Sequence, residues 1–565
     1  MNIRSRTWYL PITLLMIVAM LVLAGCGATE APAPEPTSAP EPEAPEATEA
    51  PAPEPTEPPA AEEASQFVYL GYVIAETLDD HVRGDNPTGL PSEGIYESLI
   101  DYKSGTMDLE PKLATDWSVS DDGLIYTFNL RDGVTFHDGT TFDAEDVKAS
   151  YDRGMAIGTG VAFALSPIKE VRAADPMTVE IELNEPFAPF LGPLPIVAIY
   201  SAEAIAEHAS EGELGTEWFI DHAVGTGPYK LDDFKRGEEI VLTKFDDYWG
   251  GWDGKHVDEY IFRLVAEGAT QRMMVEAGEG HMADKIPTED IEQMGSNPEI
   301  EVIEPLNTIR QFYLKLNTVG GPTQDKAVRQ AINLAFDRQT FCQDLMQGHC
   351  AEPVSLLPAV LPDQDPSITP PEIDLEKAAE VLQAAGWTDT DGDGIRDKDG
   401  EPLALQMMYL GPYEWQRMGG ELLQSSLAEI GVQLELEGQP WSTMVERMND
   451  ATVRPEITFV AVYPTSPSAD TAFWPMFHTD SGHWSNFNYS DPHVDEQLEL
   501  ARQSVDEEAR RQIYYDLDRY LMDEAPAIAA VTMPMTFVTS DRVQGFVFQP
   551  MDPFIPPLYE MYLEE

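Results

Sequence analysis

The chain has 565 residues and a formal net charge of −66, with only 34 Lys and Arg against 100 Asp and Glu. That balance excludes a nucleic-acid partner, because a phosphate backbone is held by clusters of Lys and Arg that this chain lacks. The acidity has two readings, a surface tuned to a saline medium in which charge is screened or attraction of a cationic ligand. Carboxylates scattered over the whole chain favour the surface.

At the start, Arg4 and Arg6 precede an apolar run over residues 8–23 interrupted only by Pro11 and Thr13. The run is shorter than the ~20 residues a helix needs to cross a bilayer core, and it stops at Leu23-Ala24-Gly25-Cys26. This is the layout of a signal peptide over 1–25, and its last four residues resemble a bacterial lipobox. The resemblance implies that Cys26 is acylated, becomes the mature N-terminus and is the sole membrane contact. Residues 27–65 hold eleven prolines and ten glutamates with no aliphatic side chain larger than alanine, so they cannot bury a core. Segment 26–65 therefore reads as a lipidated cysteine on a disordered stalk, partly extended at ~3.1 Å per residue.

Beyond residue 65 the chain is too long for one hydrophobic core and long enough for two or three lobes. Tyr126-Thr127-Phe128-Asn129-Leu130 and Thr178-Val179-Glu180-Ile181-Glu182-Leu183 alternate apolar and polar residues, the period of a half-buried strand. Between them Asp143 reads as the N-cap of a helix with Glu145 and Asp146 in its first turn. Helical patterns follow from Lys326 to Arg338, Asp374 to Ala385, Trp415 to Ile430, and Val494 to Asp523 with a break near Asp506. The apolar run from Ile457 to Tyr463 lies between helical regions, which predicts an α/β lobe with a buried sheet.

Two cysteines remain besides Cys26, Cys342 and Cys350, with Gly348 placed to turn the chain between them. Outside the cytoplasm such a pair is expected to form a structural disulfide rather than a catalytic thiol. Asp389, Asp391, Asp393 and Asp397 occupy positions 1, 3, 5 and 9 of an EF-hand-like loop, with the Ile395 carbonyl at position 7. Position 12 is Gly400, so the bidentate acid is missing unless Asp399 or Glu401 substitutes. The loop is either a structural calcium site or a tight acidic turn. The ten histidines include no His-x-x-x-His pair, and neither the sequence cluster His478, His483, His493 nor any Gly-x-Ser-x-Gly elbow supports a nickel site or an enzyme.

A series of stretches then carries a family resemblance. They include Ile95-Tyr96-Glu97-Ser98-Leu99-Ile100, Leu109-Glu110-Pro111-Lys112-Leu113-Ala114, Phe136-His137-Asp138-Gly139 and Phe142-Asp143-Ala144-Glu145-Asp146-Val147. Gly225-Thr226-Gly227-Pro228-Tyr229 and Val328-Arg329-Gln330-Ala331-Ile332-Asn333, followed by Asp337-Arg338, continue the series in order. The chain resembles the family 5 extracellular solute-binding proteins of ABC transporters, the oligopeptide, dipeptide and nickel binder group. The resemblance implies an α/β fold of the two-lobed periplasmic-binding-protein type (class II) with a hinge and an inserted accessory domain. Lobe I would comprise 66–98, 222–305 and 536–565, the accessory domain 99–221, and lobe II 306–535. It further implies closure on an oligopeptide or oligosaccharide without covalent chemistry, delivery to permease subunits, and a monomer at the extracytoplasmic face of the membrane, in the periplasmic space where an outer membrane exists. No cofactor is required. A ligand-binding component of a signalling receptor would look alike.

The segment from Tyr463 to Asp470, followed by Phe473 and Trp474, resembles the family's ligand-cleft segment. Peptide binders of the family carry an aspartate just before the aromatic residue, for the ligand's α-amino group, and this chain has Val462 there. Either Asp470 takes that role from a shifted position, or the ligand lacks an amino terminus, as an oligosaccharide does. Tyr463, Trp415, Trp441 and Trp474 are the candidate cleft aromatics.

Overall fold

The computed structural model describes residues 65–82, 89–210, 213–481 and 486–564. The 1–25 leader, Cys26, the stalk up to residue 64 and His483 lie outside the described residues. Among the described residues no helix is long and apolar enough to cross a membrane.

Two large sheets organise the molecule. The first has seven strands in the order Ile300–Ile303, Phe537–Ser540, Met282–Ala283, Gln66–Gly71, Glu259–Leu264, Glu239–Lys244, Tyr229–Lys235. Its central strand alternates its side chains between two cores: Phe67 and Tyr69 enter one, Val68 and Leu70 the other. Burial on both faces is why this strand reads as a continuous apolar run. The second sheet has five strands in the order Gln433–Gln439, Ala404–Leu410, Ile457–Ala461, Gln311–Leu316, Ala527–Thr532. One face packs on helices Lys326–Ala335, Leu375–Ala384 and Glu414–Glu429 through Ile332, Leu382 and Leu427. The other packs on Ala469–Phe477, Pro492–Gln503 and Glu507–Glu524 through Phe473, Leu498 and Leu521.

A four-stranded antiparallel sheet, Ala114–Val119, Ile125–Leu130, Thr178–Leu183 and Ile168–Asp175, interrupts the seven-stranded sheet between Gly71 and Tyr229. Its inner residues Tyr126, Phe128, Val179 and Ile181 share a core with Val147 and Tyr151 of helix Ala144–Ile157. Asp143 and Asp146 close a capping box at the start of that helix.

The helix expected from Lys326 to Arg338 ends at Ala335, because Asp337 caps a separate short turn, Arg338–Thr340. The break expected near Asp506 is present, with Asp506 capping Glu507–Glu524.

The Gly225-Thr226-Gly227 stretch is a keystone. A Cβ on Gly225 would meet the Ile95 carbonyl oxygen at 1.9 Å, and one on Gly227 the Gly94 oxygen at 2.4 Å, so only glycine lets these backbones approach. The buried Glu97 carboxylate accepts from Thr226 Oγ1 (2.8 Å), Tyr248 Oη (2.9 Å) and Trp249 Nε1 (2.8 Å), which ties the segment after helix Leu90–Ile95 to the loops flanking strands Tyr229–Lys235 and Glu239–Lys244.

Candidate functional site

The chain passes between the two large sheets twice, over 304–310 and 533–536. The crossings are bonded to each other: Met533 N donates to Arg310 O (3.0 Å), Thr536 Oγ1 to Glu304 Oε1 (3.0 Å), and Arg310 Nη1 to Pro534 O. The second oxygen of Glu304 meets His349 Nδ1 at 2.8 Å, beside the Cys342–Cys350 bridge. Two adjacent strands of linker between two rigid bodies form a hinge, since few torsions separate the lobes.

Strand direction decides what faces the crevice at this hinge. In the five-stranded sheet Ala404–Leu410 runs parallel to both Gln433–Gln439 and Ile457–Ala461, and the register brings the three carboxyl ends level. In the other sheet Gln66–Gly71 is parallel to Glu259–Leu264 and Met282–Ala283, again ending level. Ligands of α/β proteins bind outside the carboxyl ends of parallel strands, where backbone turns away and side chains converge. The residues just past those ends are Tyr413, Trp441 and Tyr463 on one side, and Tyr72, Asp284 and Lys285 on the other.

Several of these residues meet across the hinge. Tyr72 lies within electrostatic reach of Tyr413, Arg310 and Tyr463, and burial holds its phenol well above the usual range. Burial also raises Tyr463, opposed by the Arg310 guanidinium. The Tyr463 ring packs against Phe554 of the first lobe at 5.9 Å, and Arg310 lies over the same Phe554 ring at 5.2 Å. Tyr413 stacks on Trp415 at 5.9 Å. Asp284 is buried and accepts from Tyr72 N (2.9 Å), Tyr69 Oη (3.1 Å) and Gln271 Nε2 (3.2 Å); burial outweighs these donors and pushes its carboxyl up to about 7. The Arg310 Nε donor is buried with no acceptor, a deficit of about 1–3 kcal/mol and more for a charged group.

The residues expected from sequence fall in different places. Tyr463 is in the cluster. Trp415 is half-buried in the wall, edge-on to Phe312 (4.8 Å) and Phe459 (5.4 Å), and Trp441 begins helix Trp441–Asn449 with 44% of its surface exposed. Asp470 is a correction: its carboxylate is buried and held by both Arg502 Nε (2.7 Å) and Nη2 (3.0 Å), so it is not open to an incoming ammonium. The Arg502 guanidinium carbon lies over the Trp474 ring, 3.1 Å from its centroid, which commits that ring as well. Cys342 and Cys350 are disulfide-bonded, with Cα atoms 5.3 Å apart. In the acidic loop Asp389, Asp391 and Asp397 bring carboxylate oxygens within 4.8 Å of one another, without Asp393. Asp389 accepts from Gly392 N and Gly394 N, Asp397 from Thr390, and Asp393 from Ile395 N, so the turn is internally bonded. Tyr72, Asp284, Lys285, Arg310 and Tyr413 were not anticipated. Their one signal in sequence is that each borders an apolar run, which becomes informative only once strand direction is known.

Two α/β lobes, a double-crossing hinge and facing strand ends define a solute-binding protein of the periplasmic type. Residues 108–484, two thirds of the chain, match the profile of the bacterial extracellular solute-binding proteins, family 5 (middle region). The chain belongs to that family, whose members serve ABC importers. It is 27% identical over 484 residues to the glutathione-binding protein GsiB of Salmonella paratyphi A, covering 84% of this chain and 90% of that one. Among solved structures, NikA from Brucella suis in complex with Fe(III)-EDTA superposes with a TM-score of 0.77 at 25% identity, over 88% of this chain and all of that one. DppA from Helicobacter pylori in complex with the peptide STSA gives 0.74 at 24% identity, over 89% and 99%.

Proposed function

We propose that this chain captures a peptide-like solute between its two lobes and presents the closed form to the permease of an ABC importer, while Cys26 holds it by lipid outside the membrane. The observation that carries this reading is the pair of facing carboxyl-end edges beside a hinge of two bonded crossings. Such a crevice buries a ligand on closure and needs no turnover to release it. The glutathione-binding relative and the peptide-bound structural neighbour supply the solute class. Half-buried aromatics at the crevice favour one second reading, a neutral oligosaccharide stacked on Tyr413 and Tyr463.

Native mass spectrometry of protein purified from its own cells, followed by calorimetry with glutathione, short peptides and oligosaccharides, tests the capture. A saturable one-to-one isotherm without consumption of solute is expected; hydrolysis of the solute would overturn the reading. Cys26→Ser is expected to move the protein out of the detergent phase. If that variant stayed membrane-bound and processed, the lipid anchor would be wrong.

A further inference from the structure

We infer that Arg310 is the anchor for a carboxylate on the captured solute, seated at the hinge between Tyr72, Tyr413 and Tyr463. The inference rests on the solute-capture reading and names the ligand chemistry within it. Arg310 belongs to one crossing and is tied through Nη1 to Pro534 of the other, so its head is fixed where both lobes meet. With Nη1 committed and the Tyr463 hydroxyl hydrogen-bonded to the guanidinium, the edge carrying the buried, acceptor-less Nε is the one left for an outside partner. A planar carboxylate matches that edge with two parallel charge-assisted hydrogen bonds.

The surroundings suit an anion and not an ammonium. Among the described residues neither Arg310 nor Lys285, whose Nζ lies 5.5 Å from the Tyr72 ring centroid, is paired with a carboxylate. The two acids that would receive an ammonium are engaged: Asp470 by Arg502, and Asp284 by three donors of its own lobe. Arg310 thus presents local positive potential inside a chain of net charge −66, and field focusing in a low-dielectric crevice makes that difference selective. Its contacts with Phe554 in one lobe and its electrostatic reach to Tyr463 in the other also couple occupancy to closure.

The test is calorimetry on the full-length lipoprotein in detergent with trialanine, N-acetyl-trialanine, trialanine amide and cellotriose. Wild type is expected to bind the first two alike and the amide on the order of 100-fold more weakly, the scale for one lost charged partner. Arg310→Gln should bring the acids down to the amide and leave the amide unchanged. Arg310→Lys should recover part of the preference, which a merely folding-impaired variant would not do. Equal binding of acid and amide, unaffected by Arg310→Gln, would overturn the anchor and leave solute capture standing. Binding of cellotriose alone would also overturn it, in favour of the saccharide reading. Wild type that binds none of the four, and that carries no solute from its own cells, would remove the capture reading and this inference with it.

Discussion

Arg502 and Arg310 both sit among aromatic rings, and their situations differ. Arg502 holds Asp470 with two hydrogen bonds and covers Trp474 and Phe187, while its carbonyl accepts from Ala188 N of the inserted domain. It is satisfied, and it locks helices to neighbouring elements. Arg310 has comparable aromatic company but keeps a buried donor without an acceptor. A charged side chain whose bonds all close within the protein is framework; one left short at a hinge is where a ligand completes the set.

The largest expected effect breaks the framework member of the pair. Asp470→Ala removes the partner of a mostly buried guanidinium and should cost about 3 kcal/mol in chemical denaturation. Solute affinity of the folded fraction should not change, whereas a selective loss of affinity would return Asp470 to the ligand. Replacing Cys342 and Cys350 together by serine reopens an eight-residue separation and should cost about 2–3 kcal/mol, read as a lower denaturant midpoint. On the crevice side, Tyr413→Ala should weaken solute binding roughly tenfold with little change in stability. An equal loss of stability would make Tyr413 framework like Trp415.

A pH series sharpens the comparison further. Asp284 holds its proton in the folded state up to about 7, against an unfolded value near 4. The folded form therefore binds more protons between those values, and stability should fall as pH rises from about 4 to about 7, then level off. Asp284→Asn should flatten that slope; an unchanged slope would place the titration elsewhere. The smallest effect is expected from calcium on the loop at Asp389. Because its carboxylates already accept from the loop's own backbone, melting should shift by about 1 °C or less. A rise of several degrees that Asp391→Ala abolishes would make the loop a metal site.

Much of the fold was legible because it follows local rules. Alternation at Tyr126 to Leu130 and Thr178 to Leu183 gave strands Ile125–Leu130 and Thr178–Leu183, Asp143 is the cap its position suggested, and the helix breaks near Asp506 as expected. The stretches that carried the family resemblance prove to be framework too. Gly225 and Gly227 make a close backbone approach, Arg329 satisfies three carbonyls, and Arg338 donates to Ala529 O and Asn333 Oδ1. The crevice was far less legible. Its residues come from five separate segments joined only by strand direction, and a tryptophan in sequence does not announce whether it faces a ligand, as Trp441 and Trp474 illustrate.

The interleaving of the seven-stranded sheet sets an order of assembly. Its central strand, Gln66–Gly71, is the first of the described strands, yet Phe537–Ser540 must pair with both Met282–Ala283 and Ile300–Ile303 before the sheet is complete. The five-stranded sheet, by contrast, draws every strand from 311–532. At synthesis rates of roughly 5–20 residues per second, the first strand waits on the order of half a minute or more for its sheet to close. During that interval Met282–Ala283 and Ile300–Ile303 each stand with an edge that awaits Phe537–Ser540, which makes this half of the molecule the one that needs protection while it is being made.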